Sequence, residues 1–242
     1  EYLSKFNFKI FSCHKIDNLS GAGIDDLKSS IISHAGDIEL NQSLEYFKMN
    51  VDRSFIKKGF GAIVTGTVDQ GKAKIGDPIE ILPNNIQTKI RVIQTHGKDT
   101  FSIKKGDRAA INLLNVKSKE LHRGSLVASP QTITNTRQII AKVDLLSRTN
   151  WVLKNYQRIR LHFGTGEILG RAIMKNKKKL KKGQSANVIL KLESETPICL
   201  DDKFVIRSYS PMNTIGGGIV LITYVDNNLS KFVEDIPAQP KD

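Results

Sequence analysis

The residues of this chain that could ligate a metal or attack an electrophile are few and scattered. Its five histidines and two cysteines show no CxxC, HxxxH or HExxH spacing, so no metal site is expected. Cys13 beside His14 puts a thiol next to an imidazole, but neighbours at a strand end point apart. No third partner is apparent, and no catalytic residue is assigned. Cys13 and Cys199 are too few for a disulfide framework. The pair Gly59-x-Gly61 lacks the third glycine of a dinucleotide-binding loop and precedes a strand instead of a helix. The remaining chemistry is cationic. Arg158, Arg160 and His162 alternate with Ile159, Leu161 and Phe163, a basic face backed by an apolar one. Six lysines crowd into Lys175 to Lys182, on a loop between strands. Such a run is usually a solvated surface; a nonspecific RNA contact is the second reading.

Over all 242 residues, 37 Lys+Arg face 24 Asp+Glu, a formal charge of +13. A surplus of this size points to a polyanion, with nucleic acid foremost, because phosphate contacts are made mostly by Lys and Arg. A uniformly basic proteome would give the same surplus. With 39% apolar and 25% charged residues, the chain is neither a disordered tail nor a membrane protein. Its longest apolar stretch, Ile219 to Val225, falls far short of the ~20 residues of a membrane span. Residues 1–15 carry Lys5, Lys9 and Lys15 without a continuous hydrophobic core, so no signal peptide is read, no membrane partner is expected and the location is taken as cytoplasmic.

The elements that must position these groups change character along the chain. Phe8–Phe11 reads as a short buried strand, and Ile24, Leu27 and Ile31 have helical spacing behind Gly21 and Gly23. One strand and one helix cannot make a parallel sheet alone. From about Leu44 the period becomes two: Phe47/Met49/Val51, Ala62/Val64/Gly66/Val68, Ile90/Val92 and Ala109/Ile111/Leu113 each form one face. Glycine, proline and asparagine turns recur between them, and short strands so spaced argue a barrel or sandwich. After a polar hinge at Pro130–Thr136 the pattern resumes with Ile139/Ala141/Val143/Leu145, Ile159/Leu161/Phe163, Ile168–Met174, Ala186–Leu192, Phe204–Arg207 and Ile219–Tyr224. The expected fold is mostly β: two consecutive small antiparallel β-barrels behind a remnant βα unit. The expected divisions are 1–44, 45–131, 132–228 and a tail at 229–242.

The segment Val51–Phe55, the corner Lys58-Gly59-Phe60-Gly61, Val64-Thr65-Gly66-Thr67, Ile75-Gly76-Asp77, Ile93-Gln94-Thr95-His96-Gly97-Lys98, Gly106-Asp107-Arg108-Ala109-Ala110-Ile111-Asn112-Leu113 and Glu120-Leu121-His122-Arg123-Gly124 resemble the second domain of translational GTPases of the elongation factor Tu family. The likeness is strongest to the selenocysteine-specific branch. Phe204-Val205-Ile206-Arg207 with Thr214-Ile215-Gly216-Gly217-Gly218-Ile219-Val220 resembles the closing hairpin of the family's third domain. Phe11-Ser12-Cys13-His14, followed by Gly21-Ala22-Gly23-Ile24-Asp25-Asp26-Leu27, resembles the last nucleotide-binding motif and final helix of the GTPase domain, with Cys13 where the family has Ala. No GxxxxGK[ST] loop and no Asn-Lys-x-Asp occur, so the chain reads as a fragment of a longer GTPase.

The resemblance implies an aminoacyl-tRNA site on the first barrel. Asp52, Arg53 and Arg108 match positions that line a pocket for the aminoacyl end, with His96 as a further polar contact. A selenol ionises near neutral pH and a seryl hydroxyl does not, so fixed guanidinium charge would favour selenocysteine. Asp52 would pair with the α-ammonium. Strand alternation should put 52 and 53 on opposite faces, an objection that a bulge would remove. Weaker tRNA-backbone contacts are implied for Lys57 and Lys58 at the hairpin tip, and for Arg158, Arg160 and Arg207 on the second barrel. Ser12, Cys13 and His14 would be a nucleotide-binding remnant. No cofactor is expected in the fragment, with GTP and Mg in the parent. The implied partners are selenocysteyl-tRNA, the ribosome, the missing GTPase domain, and an mRNA hairpin through C-terminal domains not present here. The alternatives are the same two domains of a general elongation or initiation factor, or a packing scaffold with no tRNA affinity of its own.

Overall fold

β-Branched residues at every second position pair into ladders, and the glycine turns set where each ladder reverses. The computed structural model describes residues 10–36, 45–57, 59–117, 120–175 and 177–223. Its contacts divide the chain into Glu1–Ser43 and Leu44–Asp242.

In the first unit the helical spacing is realised as α1 (Ile24–Gly36), with Asp25 and Asp26 in its first turn, where the helix dipole favours them. Gly23 has φ of 76°, and a Cβ there would lie 2.2 Å from the Lys15 carbonyl oxygen, so only glycine fits. The expected strand at Phe8–Phe11 is corrected in part. Ile10 and Phe11 lie in no strand and are exposed, while residues 8 and 9 fall outside the described residues. No described strand lies beside them to complete a ladder.

The second unit is two closed antiparallel barrels. The first contains β1 (Lys48–Lys57), β2 (Gly61–Gln70), β3 (Lys72–Lys74), β4 (Pro78–Leu82), β5 (Ile86–Thr95), β6 (Lys98–Thr100), β7 (Ser102–Lys104), β8 (Arg108–Leu113) and β9 (Leu126–Ala128). The order β4-β9-β1-β2-β8-β5 closes through β4 and β5, with β6 beside β5 and a separate β3–β7 pair. The expected faces of β1, β2 and β8 fill its core. β5 departs from expectation. A register shift between Ile90 and Val92 advances the phase, so Ile93 joins Ile90 in the core and Val92 is only half-buried.

The second barrel contains β10 (Asn135–Leu145), β11 (Leu153–Lys154), β12 (Arg158–Phe163), β13 (Gly166–Ile173), β14 (Lys179–Leu180), β15 (Ser185–Pro197), β16 (Lys203–Ser208) and β17 (Thr214–Ile222). The ring β10-β15-β13-β12-β16-β17 closes on β10, and β11 pairs with β14. Ile139, Ala141, Val143, Ile159 and Leu161 fill it as expected. The lysine run is more than a loop, since it contains β14. Tyr224, expected to end the last strand, lies outside the described residues.

The barrels meet through specific contacts. Lys48 belongs to the outward set of its strand, yet it is buried, its Nζ 2.5 Å from Asp202 Oδ1 of the second barrel. Thr165 Oγ1 donates to the Val51 carbonyl at 2.6 Å, and Arg123 Nε to the Thr165 carbonyl at 3.1 Å. A Cβ on Gly124, whose φ is 93°, would stand 2.8 Å from Gly166 Cα. Among the described residues no helix is long and apolar enough to cross a membrane.

Candidate functional site

The β1–β2 ladder shifts register twice, between Lys48 and Met49 and between Val51 and Arg53. Val51 faces Gly66 and Arg53 faces Thr65, so Asp52 is the extra residue of a bulge. The bulge crowds β2: a Cβ on Gly66 would lie 2.1 Å from the Asn50 carbonyl oxygen, which is why Thr65-Gly66-Thr67 carries glycine there. It also breaks the alternation that would send positions 52 and 53 to opposite faces.

The freed Asp52 carboxylate is held on both oxygens. Thr65 Oγ1 donates to Oδ1 at 2.7 Å and Arg108 Nη1 to Oδ2 at 2.6 Å. Burial pushes the Asp52 carboxyl up, but the hydrogen bonds from Arg108 and Thr65 and the nearby guanidinium charge outweigh it and hold it below the usual carboxylate range. Arg108 begins β8, opposite Thr67 of β2. On its other side Ala109 faces Thr95 of β5, and His96 and Gly97, with φ of 50° and 77°, turn the chain from β5 into β6. The hairpin tip with His96 therefore lies beside the start of β8. Arg53 and His96 are exposed, and the Arg108 side chain is 58% exposed against 23% for Asp52. Asp52 and Arg108 thus meet on an open face, with Arg53 next in sequence to the bulge and His96 on the turn after β5.

Asp52 thus already accepts from Arg108 and Thr65, with lone pairs left on both oxygens. Thr65, which orients that carboxylate, was absent from the expected set. Its position in β2 opposite Arg53 follows only from the bulge register, which residue patterns do not reveal.

Lys57 Nζ sits 4.5 Å from the centre of the Phe60 ring, and Lys58 lies outside the described residues. On the second barrel, Arg158 makes a two-pronged bond to Glu193, both at 2.6 Å, and covers the Tyr209 ring. Arg160 bonds Glu167 and faces Arg207 directly across the β12–β16 ladder. Arg207 Nη1 meets Met212 Sδ at 4.0 Å, and among the described residues its buried Nε has no hydrogen-bond partner. Burial, with Arg207 and Arg160 beside it, holds the His162 pKa below its ordinary value against the pull of Glu167. In the first unit, the His14 ring bonds Ser12 Oγ at 2.8 Å, and Ser12 in turn reaches Ser30, while Cys13 is an exposed free thiol. Among the described residues no group of three or more His, Cys, Asp or Glu could hold a metal ion.

Residues 61–128 match the family described as elongation factor Tu domain 2, and residues 137–227 match the selenocysteine-specific elongation factor β-barrel domain. The chain joins an elongation factor Tu domain 2 to a selenocysteine-specific elongation factor β-barrel domain. It is 32% identical over 202 residues to the selenocysteine-specific elongation factor of Desulfomicrobium baculatum, covering 84% of this chain and 32% of that protein. It is 30% identical over 217 residues to the factor of the same name from Methanocaldococcus jannaschii, covering 84% of this chain and 46% of the other. Among solved structures it resembles the apo form of translation elongation factor SelB from Methanococcus maripaludis, with a TM-score of 0.79 and 26% identity over 94% of this chain and 54% of that one. It also resembles a bacterial selenocysteine-specific elongation factor EF-Sec, with a TM-score of 0.82 and 25% identity over 97% of this chain and 38% of that one. The chain thus spans between a third and a half of the curated relatives it matches. The Asp52–Arg108 face lies on the barrel that matches elongation factor Tu domain 2, and Arg158, Arg160 and Arg207 lie on the barrel that matches the selenocysteine-specific family.

Proposed function

We propose that these barrels bind the aminoacyl arm of selenocysteyl-tRNA, with the Asp52–Arg108 face of the first barrel meeting the amino-acid end. The fragment has no chemistry of its own. GTP hydrolysis, with GTP and Mg, belongs to a preceding domain of the parent, which works on the ribosome in the cytoplasm and reaches an mRNA hairpin through domains beyond these barrels. The observation that carries this reading is the Arg108–Asp52 contact on an open face. Asp52 engages one guanidinium nitrogen and fixes the fork, while the rest of an exposed Arg108 remains free to donate. With Arg53 exposed on the bulged strand beside it, the face offers two permanent cations to a small anion. A selenolate is such an anion; a seryl hydroxyl is not. Asp52 is a positioning residue here, and Thr65 positions Asp52.

The test is to load one tRNA body with selenocysteine or with serine and titrate each into the chain. The selenocysteyl form is expected to bind about tenfold or more tightly, as a charge-assisted hydrogen bond of ~1–3 kcal/mol would give. Equal affinities would leave the domains of a general elongation or initiation factor as the better reading. A second reading, a scaffold without tRNA affinity, draws on Arg158 and Arg160 being already paired with Glu193 and Glu167. Absence of binding at low salt would favour it.

A further inference from the structure

The cations of the second barrel are not equally committed. Arg158 and Arg160 of β12 are paired with Glu193 of β15 and Glu167 of β13. Across the barrel, β10, β15 and the segment after β13 enclose a cleft of about 390 Å3. Lys142, Lys175 and Lys177 line it, with Ser185 and Asn187 keeping its wall polar. Lys142 faces Asn187 across the β10–β15 ladder, and the run of residues 177–182 continues from the rim with Lys178, Lys179, Lys181 and Lys182 all exposed. Among the described residues no carboxylate comes within ion-pair distance of Lys142 or of any lysine in this run. Asp144, paired with Ser185 across the β10–β15 ladder, accepts from Ser185 Oγ.

We propose that this cleft binds the phosphodiester backbone of an RNA, on the face of the second barrel opposite Arg158, Arg160 and Arg207. Unpaired lysines gathered at one rim repel one another, and a polyanion relieves that repulsion while releasing its own counterions. Lysine suits a phosphate oxygen as a compact point charge with rotatable donors. The lining has no aromatic side chain on which a base could stack, so the contact reads backbone and not sequence. It also has no exposed large apolar anchor of the kind a protein interface centres on, since Met174 is buried. Nothing in this argument uses the aminoacyl face of the first barrel, and the two stand or fall separately.

The probe is an RNA duplex of about 20 base pairs with no tRNA sequence, titrated by anisotropy from about 50 to 200 mM KCl, where phosphate contacts govern affinity. The triple variant Lys142→Gln, Lys175→Gln, Lys177→Gln is expected to lose about tenfold or more at the lowest salt, with the salt slope shallower by about 2. Because Lys142 is half-buried, a second triple variant, Lys175→Gln, Lys177→Gln, Lys178→Gln, changes only exposed side chains and should show the same direction. Lys89→Gln with Arg91→Gln, which changes exposed cations of the first barrel, should leave duplex binding within about twofold. Unchanged affinity and slope in both lysine variants would overturn the proposal. So would displacement of the duplex by polyglutamate of matched charge at equal concentration, which would make the cleft a site for an acidic protein.

Discussion

Arg108 Nη1 reaches Asp52 Oδ2 at 2.6 Å although the two residues lie on strands separated by β2, because the bulge at Asp52 moves that carboxylate across β2 toward β8. The contact is therefore a product of backbone register as much as of charge.

Thr65 should matter through Asp52. Its hydroxyl, half-buried, donates to the oxygen that Arg108 does not take. Thr65→Val keeps the shape and removes the donor, and is expected to cost about 1 kcal/mol in urea unfolding. It should also weaken selenocysteyl-tRNA binding more than seryl-tRNA binding. A loss of stability with the two tRNAs affected alike would mark Thr65 as structural only.

The join between the barrels predicts its own pH behaviour. Burial draws the Lys48 ammonium's pKa down, but Asp202 and the neighbouring acids outweigh it and raise it overall. A raised folded value means the stabilisation is complete below the ordinary lysine pKa of about 10.4 and is lost as pH climbs through the higher folded value. Lys48→Met should cost about 2–4 kcal/mol at neutral pH, because it strands Asp202 beside a buried surface, and should abolish that alkaline transition. Adding Asp202→Leu should recover part of the loss. Denaturation curves of the single and double variants from neutral to alkaline pH check this.

Gly124 serves two masters. It was read as a turn residue, and its φ of 93° agrees, but its Cα also lies against Gly166 of the other barrel. Gly124→Ala adds both a left-handed penalty and a clash that backbone cannot relieve, together roughly 2–4 kcal/mol. Gly76, with φ of 91° and open space around it, should accept alanine with only the first of these. Thermal melting of the two variants side by side separates turn strain from barrel packing.

The barrels were legible because their cores obey the two-residue period: Met49, Val64, Ile111, Ile139 and Leu161 are all fully buried where alternation put them. What failed was local. A bulge re-phased β5 after Ile90, and another freed Asp52, and neither leaves a compositional mark. The burial of Lys48 is not visible to alternation within one barrel, because its partner Asp202 sits 154 residues away on the next. The resemblance supplied Asp52 and Arg108 as neighbours; it did not supply Thr65, nor that Arg158 and Arg160 would be paired with glutamates.

The central claim is that the Arg108 cation, oriented by Asp52, reads the side group of the esterified amino acid. The most direct measurement is the ratio of selenocysteyl-tRNA to seryl-tRNA affinity in the natural chain and in Arg108→Ala, on the same tRNA body. The ratio should fall by about tenfold or more in the variant, ~1–3 kcal/mol of coupling between one guanidinium and one selenolate. If Arg108→Ala weakens both tRNAs by the same factor, the face contacts tRNA without sensing its amino acid, and the account is wrong.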